Sequence, residues 1–210
     1  MARRKPANRN TGPTPAGGAR SSGTGELRII GGDWRSRKLR FPDAGGVRPS
    51  PARTRETLFN WLNFQIAGSN CLDLFAGSGA LGLEALSRGA SSATLVDHTP
   101  ALATALRDNL RLLKSDKGVV VCQDAESYLA SRQHPPFDIV FMDPPFRQGW
   151  LERLFPLLES GQWIKSGGWV YVEHESERTT PPVPDGWLLH RQKTAGQVTY
   201  SLYRVNPETD

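Results

Sequence analysis

A glycine-rich loop is the first feature of the sequence whose residue types and spacing could do chemistry. It runs from Asp73 to Gly82 after a short apolar segment, and glycines at 77, 79 and 82 match the pattern G-x-G-x-x-G. Asp97 follows Gly77 by 20 residues, a spacing that is typical of nucleotide-binding folds. Taken alone the pattern is weak evidence, because such glycines also allow a strand and a helix to pack closely.

Asp73 favours one cofactor over another. A carboxylate at this position would repel the pyrophosphate of NAD, whereas it would attract the positively charged α-amino group of S-adenosylmethionine. In that arrangement Asp97 would accept hydrogen bonds from both ribose hydroxyls, and the adenine edge would lie against Asp124 and Ala125. Asp124 is equally suited to capping a helix. The full predicted cofactor set is Asp73, Phe75, Ala76, Gly77, Ser78, Gly79, Asp97, Asp124 and Ala125.

The segment Asp143-Pro144-Pro145-Phe146, here called the D-P-P-F loop, carries the most chemical information. Its prolines have no N–H to donate, so the loop presents acceptors to a group that is rich in N–H bonds. The exocyclic amine of guanine or adenine is such a group, and Phe146 could stack on the base. Asp143 could receive the proton that the amine loses on methylation, and the base would have to be unpaired or flipped out. A rigid turn without catalytic function is the alternative.

The elements that must position these residues alternate between strands and helices. Strands are predicted at 71–75, 93–96, 119–122, 137–142 and 169–173, with helices at about 79–88, 100–114, 125–132 and 150–159. This repetition predicts a parallel sheet covered on both faces. The segments 187–192 and 198–205 predict a closing antiparallel hairpin. Such a hairpin is typical of methyltransferases, so it again favours S-adenosylmethionine over NAD as the cofactor. Before the sheet we expect a strand at 27–30, a basic ribbon at 34–40 and a helix at 51–66, capped by Ser50.

Composition excludes several classes of protein. No apolar run approaches the ~20 residues that span a bilayer, and the basic N-terminus lacks the apolar segment of a secretory signal. Cys71 and Cys122 are predicted to be buried free thiols in a reducing compartment, so we expect a cytoplasmic protein. The four histidines are scattered without ligand spacing, and no metal site is predicted.

Charge is distributed unevenly along the chain. Residues 1–60 hold 13 basic and 4 acidic residues, whereas the remaining 150 hold 13 and 17. This asymmetry indicates a polyanionic partner, with a merely solubilising segment as the alternative. We predict a disordered basic tail over 1–25, an RNA-binding extension of hairpin plus helix over 26–68 and a methyltransferase domain over 69–206. The predicted phosphate-binding residues are Arg35, Arg37, Lys38, Arg40, Arg48, Arg53 and Arg55.

Several sequence blocks resemble the bacterial small-subunit ribosomal RNA guanine-N2 methyltransferases of the RsmD type. Besides the glycine-rich loop and the D-P-P-F loop, which many amino methyltransferases share, they are R-I-I-G-G-D-W-R-S-R-K-L at 28–39, Arg48-Pro49, R-E-T-L-F-N-W-L at 55–62 and A-G-Q-V at 195–198. The resemblance covers about residues 27–205. The blocks at 28–39 and 55–62 are the most restrictive.

This resemblance implies an α/β protein of the class I S-adenosylmethionine-dependent methyltransferase fold. That fold is a Rossmann-like seven-stranded sheet with its last strand antiparallel, here preceded by a small hairpin and helix extension. It also implies S-adenosylmethionine as methyl donor, S-adenosylhomocysteine as product and one guanine of small-subunit rRNA as acceptor, in RNA or within a ribosomal subunit. We further expect a monomer that does not contact a membrane.

Two positions depart from the family pattern, and three other functions stay open. Ala52 stands where the family often has an acidic residue, and His98 follows Asp97 in place of a more acidic neighbourhood. The first alternative function is a methyltransferase of adenine N6 or DNA, since the D-P-P-F loop asks only for an amine. The others are a nicotinamide-dependent oxidoreductase and a non-catalytic RNA-binding assembly factor.

Overall fold

The computed structural model describes residues 23–43, 49–131, 134–179 and 182–206. Within these ranges a hairpin of β1 (Thr24–Arg28) and β2 (Lys38–Pro42) precedes α1 (Ala52–Trp61). The alternating part follows as β3 (Asn70–Asp73), α2 (Gly82–Ser87), β4 (Ser92–Asp97), α3 (Pro100–Leu112), β5 (Gly118–Cys122), α4 (Ala125–Ala130), β6 (Phe137–Met142), α5 (Trp150–Ser160), β7 (Ile164–Glu175), β8 (Trp187–Ala195) and β9 (Val198–Val205).

The main sheet has seven strands in the order β5-β4-β3-β6-β7-β9-β8. Strands β3 to β7 are parallel to their neighbours among themselves, whereas β9 runs antiparallel to both β7 and β8. The predicted α/β fold with an antiparallel last strand is therefore confirmed. The order of connection reverses between β3 and β6, which is the place where open α/β sheets bind ligands outside the carboxyl ends of their strands.

Helices cover both faces of the sheet. The hairpin, α1, α2 and α3 share one hydrophobic core on one face, and α4 and α5 build a second core on the other. Helical spacing explains these contacts, because leucines four residues apart lie on the same side of a helix. In α3 the buried leucines are Leu102, Leu106 and Leu110. In α5 the predicted apolar face is confirmed, with Leu151, Leu154, Phe155 and Leu158 all buried.

The buried carboxylate of Glu84, on α2, fastens the N-terminal segment to the sheet. It accepts the amides of Ile30 and Gly31 at 2.9 and 2.8 Å. It also pairs with the guanidinium groups of Arg55 and Arg88, at 3.3 and 2.7 Å. Because apolar residues from Leu27 onward belong to the same core as the sheet, the N-terminal segment packs as part of that core. The domain boundary at 68/69 stays a prediction.

Several predicted elements lie elsewhere than expected. The first strand is Thr24–Arg28 rather than 27–30, so the predicted disorder of Thr24 and Gly25 is wrong. Residues 1–22 of the predicted tail fall outside the described part of the chain. The predicted helix 51–66 stops at Trp61, after which a series of turns buries Leu62 and Ile66. Ser50 does not cap this helix, because its hydroxyl donates to Asp143 instead.

The two cysteines occupy different environments. Cys71 is buried in β3, as predicted, and burial raises the pKa of its thiol to about 12. Cys122 is exposed, which contradicts the prediction. The reason is the position of its strand, because β5 forms an edge of the sheet and alternate residues of an edge strand face solvent.

Candidate active site

The carboxyl ends of β3, β4 and β6 surround a cavity of about 710 Å³, which lies within the usual range for small-molecule sites. The structure brings together there most of the residues that the sequence singled out. From the predicted cofactor set the cavity is lined by Asp73, Phe75, Ala76, Gly77, Ser78 and Asp97, and from the D-P-P-F loop by Asp143, Pro144, Pro145 and Phe146. Two strand ends thus supply one side, and the D-P-P-F loop supplies the other.

Asp73 lies in this cavity with one carboxylate oxygen unpartnered. Its side chain is only 1% exposed; Oδ2 accepts the Gly82 amide at 2.9 Å, whereas Oδ1 has no hydrogen-bond partner among the described residues. Burial, reinforced by the charges of Asp143 and Asp97, raises the pKa of this carboxyl to about 7 against the opposing effect of the Gly82 bond. An unpaired buried oxygen is costly. The arrangement therefore fits a ligand that brings a positively charged N–H donor.

Glycine is required around Asp73 for two different reasons. Gly77 and Gly79 have φ of 50° and 84°, in the left-handed region that residues with a Cβ rarely adopt. Gly82 is needed for space, since a Cβ there would lie 2.3 Å from Leu95 Cδ2 and 3.2 Å from Asp73 Oδ2. The loop can therefore pass close to a ligand only with this composition.

Asp97 holds the loop in place while keeping acceptor capacity. Its Oδ2 accepts the Gly77 amide at 2.9 Å and its Oδ1 accepts the Thr99 amide at 2.8 Å. A carboxylate has about four lone-pair sites, so each oxygen can accept a further hydrogen bond from the cavity. The position at the end of β4 is the one predicted for the ribose contact.

Asp143 stands at the end of β6, partly buried, and is oriented by a residue that precedes α1. The Ser50 hydroxyl donates to Asp143 Oδ2 at 2.9 Å, and Ser50 itself is 7% exposed. Burial raises the pKa of Asp143 to about 6, with the Ser50 hydrogen bond acting in the opposite direction. Phe146 is exposed beside it, which leaves its ring available to a planar group.

Sequence reasoning missed Glu173, Tyr171 and Ser50 as site residues. Glu173 is 3% exposed near the end of β7, next to Asp143 in the sheet, and it accepts the Tyr171 hydroxyl at 2.8 Å. Burial and the charge of Asp143 raise the pKa of Glu173 to about 8, whereas the hydrogen bond from the Tyr171 hydroxyl lowers it. The signal was available, because Glu173 ends the fifth predicted strand, and the carboxyl ends of parallel strands meet at one edge of the sheet.

Three residues of the predicted cofactor set do not border the cavity. Gly79 packs over Leu83 and Leu106 instead. Asp124 is exposed and accepts the Ser127 amide at 2.9 Å, which makes it the N-cap of α4, the structural alternative that the sequence already allowed. Ala125 is buried in the first turn of that helix. An adenine contact by Asp124 and Ala125 stays a prediction.

The predicted phosphate-binding residues divide into three groups. Arg55 contradicts its prediction, because its guanidinium is 4% exposed and is held by Glu84 and by the carbonyls of Ser50 and Arg28. Arg48 lies outside the described residues. The others, Arg35, Arg37, Lys38, Arg40 and Arg53, are exposed.

The basic turn, residues 33–37, lies at the end of the sheet opposite the cavity, where the parallel strands begin. Arg37 reaches the carbonyl of Leu112, at the end of α3, and Trp34 contacts Ser87, at the end of α2. Both helices begin at the cavity edge, and α3 is about 20 Å long at 1.5 Å per residue. RNA held by Arg35 and Arg37 would therefore have to span about that length.

Within the described ranges we searched for clusters of metal-ligating side chains and for membrane-spanning helices. No group of three or more histidine, cysteine, aspartate or glutamate side chains there could hold a metal ion. None of the helices found in those ranges is long and apolar enough to cross a bilayer.

Strand order, strand-end cavity and antiparallel final strand together define a class I methyltransferase fold. The structure of SMU.776 complexed with S-adenosylhomocysteine shares this fold at a TM-score of 0.64 and 16% identity, over 80% of this chain and 53% of that one. The structure of yhhF from Escherichia coli matches more closely, with a TM-score of 0.82 and 52% identity over 88% of this chain and 100% of that one.

The family follows from the sequence comparisons. The family model described as conserved hypothetical protein 95 matches residues 27–204. Over 183 residues the chain is 53% identical to ribosomal RNA small subunit methyltransferase D of Escherichia coli strain K12, covering 87% of this chain and 92% of that protein. The chain belongs to this family, and the resemblance to the RsmD type is confirmed.

Proposed function

We propose that the protein transfers a methyl group from S-adenosylmethionine to the exocyclic N2 amine of a guanine in small-subunit ribosomal RNA. The observation that carries the proposal is the convergence, in one cavity, of an unpartnered buried carboxylate oxygen on Asp73 with the acceptor-rich D-P-P-F loop. The relative from Escherichia coli named above supplies the class of reaction and of RNA. The choice of guanine N2 rests on the family resemblance.

The residues at one side of the cavity would hold the cofactor. When bound, S-adenosylmethionine supplies a methyl group on a positively charged sulfur. The free Oδ1 of Asp73 fits its α-amino group, and the remaining lone pairs of Asp97 fit ribose hydroxyls. Phe75 and Leu102 add apolar lining. Gly77 and Gly79 let the loop backbone approach closely, because their conformations exclude a side chain.

The D-P-P-F loop would hold the acceptor base. Asp143 accepts hydrogens of the exocyclic amine, which favours a nitrogen lone pair that is directed at the methyl group, and it receives the departing proton. Phe146 stacks on the base. Pro144 and Pro145 fix the loop, and the amide of Arg147 donates to Glu175 on β7, which ties the loop to the neighbouring strand. A base in a duplex cannot enter, so the target must be unpaired or flipped out.

We further propose a cytoplasmic monomer whose exposed basic residues bind rRNA at a distance from the target nucleotide. The net charge of +5 and the surplus of basic residues over 1–60 support a polyanionic partner. Whether the substrate is free rRNA or a ribosomal subunit is decided by offering both.

The test uses purified protein, S-adenosylmethionine with a labelled methyl group, and either naked rRNA or small subunits from a strain that lacks the family enzyme. We expect label in N2-methylguanosine at one position. For Asp143→Ala we expect S-adenosylmethionine affinity close to wild type and methyl transfer reduced by about 10²–10⁴-fold.

Each other outcome identifies a different function. Label in N6-methyladenine would show that the acceptor base is adenine and not guanine. RNA binding without any methyl transfer would identify an assembly factor. Normal single-turnover transfer by Asp143→Ala would show that the D-P-P-F loop is only a turn.

A further inference from the structure

Three buried or partly buried carboxylates lie on adjacent strands at the base of the active site. Asp73, Asp143 and Glu173, here called the strand-end carboxylates, end or nearly end the adjacent strands β3, β6 and β7. Among the described residues no lysine, arginine or histidine forms an ion pair with any of them. Like charges this close and this buried disfavour full ionisation. The cluster therefore needs a proton.

The Ser50 hydroxyl indicates where that proton lies. A serine hydroxyl has one hydrogen to give, and Ser50 gives it to Asp143 Oδ2 at 2.9 Å. An accepted hydrogen bond favours the ionised form of Asp143, which is only partly buried. The proton of the pair therefore falls to Glu173, which is 3% exposed.

The surroundings of Glu173 agree with a neutral side chain. From its own strand it faces the Tyr171 hydroxyl, from the end of β6 Asp143, and from β9 its register partner Tyr200. All are neutral or negative. Glu173 is also 3% exposed and does not line the cofactor cavity, whereas Asp143 does.

We propose that Ser50 and Glu173 are positioning residues for Asp143, with the proton of the carboxylate pair kept on Glu173 so that Asp143 faces the acceptor amine as a fixed carboxylate. This inference rests on the proposed function. In the reaction the amine nitrogen forms a bond to the methyl carbon as the sulfur–carbon bond breaks, and the proton lost by the nitrogen passes to Asp143. Glu173 is thus protonated while Asp143 is ionised. Different environments commonly give two neighbouring carboxyl groups such different protonation states in an active site.

Arg55 fixes the position of Ser50 from the other side. Its Nε donates to the Ser50 carbonyl at 3.2 Å, while Glu84 and the carbonyl of Arg28 hold the rest of the guanidinium. Arg55, the first residue of the family block at 55–62, therefore orients Ser50, and Ser50 orients Asp143. This arginine serves the site without touching RNA.

The first experiment reads the proton directly, without substrate. Infrared difference spectra of wild type minus Glu173→Gln are recorded on the free protein at pH 7, with Glu175→Gln as the matched control on the same strand. We expect a protonated-carboxyl band that Glu173→Gln removes and Glu175→Gln retains. Loss of only an ionised-carboxylate band with Glu173→Gln would overturn the proposal. This readout is independent of methyl transfer, so it separates the present inference from a failure of the proposed function.

The second experiment measures single-turnover methyl transfer across pH 6 to 9.5. Glutamine mimics a protonated glutamate, so Glu173→Gln should keep the wild-type rate at neutral pH and hold it where the wild type declines above pH 8. Ser50→Ala should slow transfer by about tenfold to a hundredfold with unchanged cofactor affinity, and Ser50→Thr should restore the rate. A rate for Glu173→Gln as low as for Glu173→Ala, or a wild-type rate for Ser50→Ala, would overturn the assignment.

Discussion

Two buried carboxylates contact the short helix α2, and they differ in how many hydrogen-bond donors surround them. Glu84, within the helix and 0% exposed, receives two backbone amides and two guanidinium groups. Asp73, 1% exposed, receives the amide of the first residue of the helix and has one oxygen unpartnered among the described residues. Burial alone therefore does not distinguish them.

The difference separates an anchor from a binding group. A buried charge that is fully paired holds elements together, whereas one left partly unpaired carries an energetic cost that a ligand can remove. Glu84 joins the N-terminal segment, α1 and α2, so its task is complete in the free protein. Asp73 is completed only by something that enters the cavity.

The largest expected effect belongs to the anchor. Glu84→Ala leaves Arg55 buried without its partner, which should lower the free energy of unfolding by about 3–5 kcal/mol. Urea unfolding followed by circular dichroism measures this. Glu56→Ala, an exposed position on α1, is the control and should change stability by less than about 0.5 kcal/mol. If Glu84→Ala and Glu56→Ala lower the free energy of unfolding equally, Glu84 does not anchor the N-terminal segment.

The binding group should behave in the opposite way. Asp73→Ala should retain the folded structure but weaken S-adenosylmethionine binding by about 1–3 kcal/mol, because a cofactor donor is left unpaired. Asp97→Ala should have a similar effect on affinity. Calorimetric titration checks both variants, and wild-type affinity for both would end the cofactor assignment.

The pH dependence of stability sharpens the comparison for Glu173. Its pKa is raised from 4.5 to about 8 in the folded protein, so the folded state binds the extra proton more tightly. This stabilisation is complete below about pH 4.5 and is lost as pH rises towards 8. Glu173→Gln cannot lose it. Between pH 5 and pH 8 the variant should therefore gain on the order of 2 kcal/mol relative to wild type, measured by urea unfolding. A constant difference across this range would contradict a raised pKa.

The arginines show the same difference between a paired group and one available to a partner. Arg55 is buried and paired, whereas Arg35 and Arg37 are exposed. If the exposed set binds phosphates, neutralising Arg35, Arg37 and Lys38 should reduce the salt slope of RNA binding by about 2. Deleting residues 1–22, which belong to the predicted disordered tail, should weaken RNA binding less, because a disordered segment loses conformational entropy for each contact that it makes.

The control for this series neutralises Arg191 and Lys193, which are exposed on β8. If the salt slope of RNA binding falls only when Arg191 and Lys193 are neutralised, the RNA binds along β8, an edge strand of the sheet, instead of at the basic turn. A slope unchanged by all variants would leave the basic turn with a structural role, in which Arg37 caps the end of α3.

The sequence was sufficient for the order of elements and for most cavity-lining residues. Parallel strands bring their carboxyl ends to one edge, so Asp73, Asp97 and Asp143 could be placed together before any coordinates. Helix ends were less predictable, as at Trp61, because the following turns bury apolar residues as well as a helix would.

What failed was the assignment of side chains whose partners lie far away along the chain. Arg55 belongs to a basic run, and nothing local reveals that Glu84, 29 residues later, binds its guanidinium. Ser50 has the form of a helix cap, but its hydroxyl reaches Asp143, 93 residues away. Such pairings depend on tertiary packing, which sequence spacing does not encode.

The position of β9 has a consequence for how the protein is made. It is the last strand in the described part of the chain, ending at Val205, and yet it pairs on both sides, with β7 and with β8. Synthesis proceeds from the N-terminus at about 5–20 residues per second, so β7 and β8 are translated before the strand that joins them. Until β9 leaves the translating ribosome, β7 exposes an unpaired edge and β8 has no place in the sheet. Loss of β9 would therefore open the sheet in its interior, between β7 and β8, rather than remove an edge strand.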